Sequence, residues 1–332
     1  MFAVRGLAIS LSVFASVYLV LSTAVYALWR KIGMQARNDS AQRWADTLFA
    51  LRMIPLLVAT GVTLLLAVPS FLLLEPRAVD EALGLPAGLL GCCGLALIAV
   101  GFWNAGTAWI KALRTVARWS GAAQSRELNF SSLDVGASFA GLQKTTSASI
   151  LRSAVSAWPL TAAGVLRPSV WLTSAAESVL NERELAAALQ HEFVHVRRWD
   201  NLRKLILRLV AFPGMAGLES AWRQATEMAA DDAAVSSAAE ALDLASAVIK
   251  LSRLVPLQAP PDLTTALVQN SLESVNARVE RLVTWSERQQ IPAPKYSWRY
   301  ALCGAAATIV TLAAMYSTLL LRMHMATEWL VR

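Results

Sequence analysis

Four apolar stretches restrict this chain more than anything else in it: Gly6 to Trp29, Met53 to Leu74, Leu85 to about Ile110, and Tyr300 to about Leu321. Each runs about twenty residues or more without an acidic side chain, which is the length a helix needs to cross hydrocarbon about 30 Å thick. Inside a bilayer no water satisfies the backbone, so such stretches are expected as helices whose hydrogen bonds are internal. The rest of the composition agrees, since 56% hydrophobic against 16% charged residues is too apolar for an ordinary soluble protein. The first stretch follows a lone Arg5 and has a small-residue site near Ala27. It exceeds the apolar core of a signal peptide and further spans follow, so it reads as an uncleaved anchor. Cys92, Cys93 and Cys303 all fall inside predicted spans and read as small apolar residues. Trp29, Trp103, Trp109 and Trp298, near span ends, read as interfacial anchors.

Basic residues set the expected orientation. The loop 30–52 carries Arg30, Lys31, Arg37, Arg43 and Arg52, whereas the next loop has Arg77 outnumbered by Glu75, Asp80 and Glu81. The first loop is therefore expected on the cytoplasmic side, and alternation places the region from about 114 to 298 there too, with both termini external. Lys111, Arg114 and Arg118 before that region, and Lys295 and Arg299 at its end, agree. The net charge of +7 then marks an inner leaflet, and no direct nucleic-acid partner is expected, because the basic residues flank spans without interleaved aromatics.

The fold class that follows is an α-helical membrane protein with four transmembrane helices and an α+β cytoplasmic domain inserted between the third and fourth. Residues 1–113 hold three spans (about 6–29, 53–74 and 85–110), 114–298 the domain, and 299–332 the fourth span and a short external tail. Within the domain, Ser120 to Thr146 reads as a polar linker. Ile150–Val155, Leu160–Val165 and Ser169–Thr173 read as short strands of a small antiparallel sheet or an edge. Asn181, or Ser178 before it, is placed to cap a helix from Glu182 to about Ala211, broken by Pro213-Gly214. Further helices are expected from Glu219 to Val235, Ala241 to Leu254, and Leu263 to about Trp285. The apolar stretch Leu202–Leu218, interrupted by Arg203, Lys204 and Arg208, reads first as core packing, with contact at a membrane surface as the rival.

Two of only three histidines, His191 and His195, sit four residues apart with Glu192 after the first, the H-E-x-x-H pattern of a zinc hydrolase. On a helix both imidazoles share one face, and the glutamate between them is placed to activate a water. A catalytic zinc takes three protein ligands, and His324 falls beyond the last span, so a carboxylate must complete the set. Glu227 is the best candidate, with Asp231 one turn later on the same face to orient a histidine ligand. Asp200 is a second candidate for that orienting role.

The run His191-Glu-Phe-Val-His195-Val-Arg-Arg198-Trp-Asp200, followed by Glu227-Met-Ala-Ala-Asp231, resembles the BlaR/MecR-type antirepressor membrane zinc metallopeptidases, which are gluzincin-like. The segment Gly164 to Thr173 ahead of the motif, and the order of three spans, zinc domain and fourth span, are similar as well, so the resemblance covers nearly the whole chain. It implies Zn2+ held by His191, His195 and Glu227, with Glu192 as general base and then proton donor in peptide-bond hydrolysis. Asp231, Asp200 and Arg198 match the frame of the motif as supporting residues. The strand Val170, Trp171, Leu172 and Thr173 is expected to bind substrate by strand addition if it forms an exposed edge. The implied setting is a bacterial cytoplasmic membrane, with a protein substrate that is a repressor, another regulator, a membrane protein or the chain itself. Family members that sense beta-lactams carry a penicillin-binding domain after the fourth span, whereas this chain ends about eleven residues beyond it, so input is expected from a separate sensor or regulator, or from the spans. A non-catalytic signalling scaffold and a membrane-protein quality-control protease are the alternatives.

Overall fold

The computed structural model describes residues 2–32, 40–76, 84–122, 149–153, 156, 158–254, 263–267, 272–285 and 298–331. The linker expected over 120–146 lies, past Ala122, outside the described residues. Helix α1 covers Phe2–Ile32, α2 Ala41–Val62, α3 Val68–Leu74 and α4 Leu85–Ala122. A π-helical turn, Thr63–Ala67, joins α2 to α3. Pro69 explains it: proline has no N–H for the carbonyl of Leu65, which accepts from Tyr316 Oη at 2.9 Å. Among the described residues, three helical segments are long and apolar enough to cross a membrane: Phe2–Lys31, Ala41–Leu74 and Leu85–Gly121, with mean hydropathy 2.0, 2.3 and 2.1. The stretch expected as a fourth span falls within a 34-residue helix, Trp298–Val331.

The segment between runs β1 (Ile150–Arg152), β2 (Leu160–Ala163), β3 (Ser169–Leu172), α5 (Ser174–Val179), α6 (Glu182–Arg197), α7 (Asp200–Arg208), α8 (Ala216–Ala234), α9 (Ala238–Ser252), β4 (Thr264–Ala266) and α10 (Leu272–Val283), with α11 the helix Trp298–Val331. The four strands form one sheet in the order β1-β3-β2-β4. β1 runs parallel to β3, and the other two pairings are antiparallel. β4 corrects the expectation of an unbroken helix from Leu263: after Leu263, at φ 57°, Thr264–Ala266 pairs with β2, and a helix resumes at Leu272. The expected edge strand is corrected too. β3 is hydrogen-bonded on both sides, and Val170, Trp171 and Leu172 are buried, so its backbone has no open ladder to offer a peptide.

A capping box starts α6: Asn181 Oδ1 accepts from the Glu184 N–H, and Glu184 accepts from the Asn181 N–H. Ser178 instead bonds back to Ala175 within α5. The long helix expected through Ala211 divides at Trp199, whose φ of 57° lies in the left-handed region. Unbroken, the helix would put Asp200 about 140° around from His195 at 100° per residue. The break turns Asp200 back beneath that histidine.

The domain core is built from the sheet, α6, α8 and α9, with Leu189, Phe193, Leu244 and Leu251 among its largest buried members. A second core joins domain and bundle: Leu207, Val210, Leu218 and Trp222 pack with Tyr18, Leu48 and Met53. The segment Leu202–Leu218 thus meets the helical bundle. Arg52 Nη2 donates to the Val210 carbonyl at 2.8 Å, and a Cβ on Gly101 would collide with the Leu209 carbonyl, so only glycine permits this approach of α4.

Candidate metal centre

α6 presents His191 and His195 on one face, and α8 brings Glu227 against them. The three are buried, and their ligand atoms lie within 4.8 Å of one another. The two Nε2 atoms are 3.0 Å apart. Glu227 Oε2 is 3.5 Å from His191 Nε2, and its Oε1 3.7 Å from His195 Nε2. Zinc with ligands at about 2.1 Å and tetrahedral angles separates its donors by about 3.4 Å, so these spacings suit a single ion.

A carboxylate lies beside each of the other ring nitrogens. His195 Nδ1 is 2.7 Å from Asp200 Oδ2, and His191 Nδ1 is 2.9 Å from Asp231 Oδ1. A neutral imidazole that gives its Nδ1 proton to a carboxylate turns a lone pair outward at Nε2. The two Nε2 atoms, 3.0 Å apart, can share a proton or turn both lone pairs to one metal ion that displaces it. Burial works against a charge on His195, but Glu227 and Asp200 outweigh it and raise its pKa to about 10, so the centre attracts positive charge. Glu192 Oε1 is buried without a hydrogen bond, and Glu227 Oε2 is buried with an ion-pair neighbour, Arg278 Nη1 at 3.2 Å, but no hydrogen bond. By chemistry and spacing the residues fit a zinc ion.

Glu192 is fully buried. Its Oε2 accepts from the Ala162 N–H of β2 at 3.1 Å and lies 3.4 Å from Thr265 Oγ1 of β4. Burial dominates its titration and pushes it up to about 7, although both histidines pull the other way. That value is suited to taking and returning a proton near neutrality.

No protein-family model matches this chain, and no curated protein matches it significantly. The reading of the centre therefore stands on its geometry. Of the residues expected from sequence, His191, Glu192, His195, Glu227, Asp231 and Asp200 converge. Arg198 lies beside the cluster, its Nε 3.8 Å from Asp200 Oδ1. Val170 to Thr173 sit one strand away, behind β2.

Sequence reasoning missed Arg278 of α10. Its Nε and Nη2 each donate to Asp231 at 2.7 Å, and Nη1 lies 3.2 Å from Glu227 Oε2. Burial opposes the charge on Asp231, but Arg278 overcomes it and holds the carboxyl down at about 2. The signal was present in the helix periodicity: Val275, Arg278 and Leu282 form one buried stripe, and an arginine inside such a stripe needs buried carboxylates. Lys204 was missed as well. Its Nζ donates to the Thr264 carbonyl at 2.7 Å and ties β4 to α7.

Proposed function

We propose that the protein is a membrane-anchored zinc-dependent endopeptidase that cleaves a protein substrate at the cytoplasmic face, in signal transduction of the antirepressor kind. The observation that carries this reading is the pairing of a three-ligand buried centre with Glu192 beside it. A purely structural zinc site has no use for a buried carboxylate held off the metal position, so the scaffold alternative lacks a role for it. The fourth span, taken as α11, and the inside placement of the domain belong to this reading; the first rests on its apolar length and the second on the charge distribution.

Zinc held by His191, His195 and Glu227 would acidify a water and polarise a scissile carbonyl. Glu192 takes the proton from the attacking water and returns it to the leaving amine. Asp200 and Asp231 keep each imidazole in the tautomer whose Nε2 is a ligand, and Arg278 anchors both Asp231 and Glu227. The Ala162 N–H, now bonded to Glu192, belongs to the strand nearest the reacting groups. β4 occupies that side of β2, so a peptide can pair with β2 only after β4 withdraws.

Glu192→Gln should retain zinc while cleavage stops, read from metal content and from protein fragments in cells expressing wild type or variant. Undiminished cleavage by the variant would remove the peptidase reading. One or two lost fragments indicate a signalling substrate, whereas many indicate quality control. A reporter fused after Ser120 should behave as cytoplasmic, and an external signal there inverts the topology.

A further inference from the structure

A second group of metal-ligating side chains lies at the other end of the bundle. The domain meets α2 at Arg52, and 23 residues further, about 35 Å along a helix at 1.5 Å per residue, the chain reaches Glu75. There Glu75 converges with His324 and Glu328 of α11, all three half-buried and with ligand atoms within 4.8 Å of one another. His324 and Glu328 are four residues apart on one helix, so they share a face as His191 and His195 do. Glu75 follows the last residue of α3 in extended conformation, φ −77° and ψ 126°, and comes to the pair from a separate element.

We propose that Glu75, His324 and Glu328 form a second metal site, for a divalent transition ion such as Zn2+. Arg5 Nη1 lies 3.0 Å from Glu75 Oε1, which orients the carboxylate and leaves Oε2 for another partner. That oxygen is 3.8 Å from His324 Nδ1. The distance is too long for a hydrogen bond and close to the separation of two ligands on one ion. The Glu75 side chain is only 6% exposed and His324 20%, so the ion would be partly withdrawn from water. Two carboxylates against one arginine leave a net negative charge for a cation to neutralise, and one imidazole with two carboxylates suits zinc-like ions better than magnesium or calcium. An ion there would tie α11 to the ends of α1 and α3. On the same helix, Tyr316 holds the Leu65 carbonyl at the π-helical turn. By the charge-based topology this face is external, which would make it an entry point for a metal signal. The site itself does not depend on the peptidase reading.

The test is zinc content of the full-length chain in detergent after saturation and gel filtration, for wild type, His324→Gln and Glu328→Gln. Glu328 is the gentler variant, and unchanged elution and circular dichroism establish that each is folded. About two zinc ions per wild-type chain falling to about one in both variants supports the site, by the one-ion-per-cluster rule. Equal content in all three chains overturns it. About one ion in wild type and none in the variants would support this site and sink the zinc reading of the domain instead.

Discussion

The two histidine–carboxylate clusters use the same donor chemistry in different surroundings. At the domain centre His191 and His195 are 0% and 1% exposed, each ring has a carboxylate behind it, and Arg278 locks two of the acids. At the far cluster His324 is 20% exposed, and Arg5 steadies Glu75. The contrast teaches that the same donor types can sit in very different supporting shells. A supporting layer that fixes ring tautomer and ligand position suits a retained ion, whereas a half-open cluster suits an ion that comes and goes.

The comparison breaks most visibly at its two arginines. Arg278→Met removes the partner of Asp231 and Glu227 and leaves buried carboxylates unpaired, a loss of about 3–5 kcal/mol. Thermal unfolding of the zinc-free protein should show it, with Arg278→Lys intermediate because an ammonium lacks the two-pronged fork. Arg5→Met should cost less, since it leaves one carboxylate, Glu75, without its guanidinium where Arg278→Met leaves two. Equal losses would mean that the far cluster is as tightly built as the domain centre.

Next in size is the layer behind the rings. Asp200→Asn and Asp231→Asn should each weaken zinc binding at the domain centre by about 10–100-fold, measured by competition with a chelator. Zinc at the far cluster should be unaffected by either change. Smaller again is Trp199→Gly. Glycine adopts the left-handed φ of 57° without a Cβ penalty, so the variant should gain about 1 kcal/mol while Asp200 still reaches His195. A loss of stability would mean that the exposed indole contributes more than its backbone costs.

The smallest effect is at Glu184, remote from both clusters. Burial opposes its charge, but Lys250, Ser246 and the Asn181 N–H prevail and hold it below the ordinary glutamate range. A carboxylate whose folded pKa is depressed stabilises above its unfolded pKa of about 4.3 and loses that contribution as pH falls through the folded value. Glu184→Gln should therefore lower the melting temperature at about pH 7 and make little difference at about pH 3. A difference that persists in acid would assign the effect to the helix cap.

Much of the domain centre could be read from spacing, because helical periodicity places residues four apart on one face whatever packs around them. His191 with His195, and Glu227 with Asp231, are such pairs. What spacing could not supply was the break at Trp199, where a non-glycine residue takes a left-handed conformation that no propensity announces. The short strand β4 was equally hidden, since three residues form a strand only when β2 is there to pair with them.

By itself, then, the sequence pointed to four apolar stretches, three of which form helices long and apolar enough to cross a membrane among the described residues, and to the two local motifs, because hydropathy and helical period act within a segment. Only the tertiary structure decided that Arg278 closes the domain centre, that β3 lies inside its sheet with β4 over Glu192, and that Glu75 meets His324 and Glu328. Those contacts join residues tens to hundreds of positions apart, through strand pairing and through charged groups that need each other once buried, which no single segment encodes.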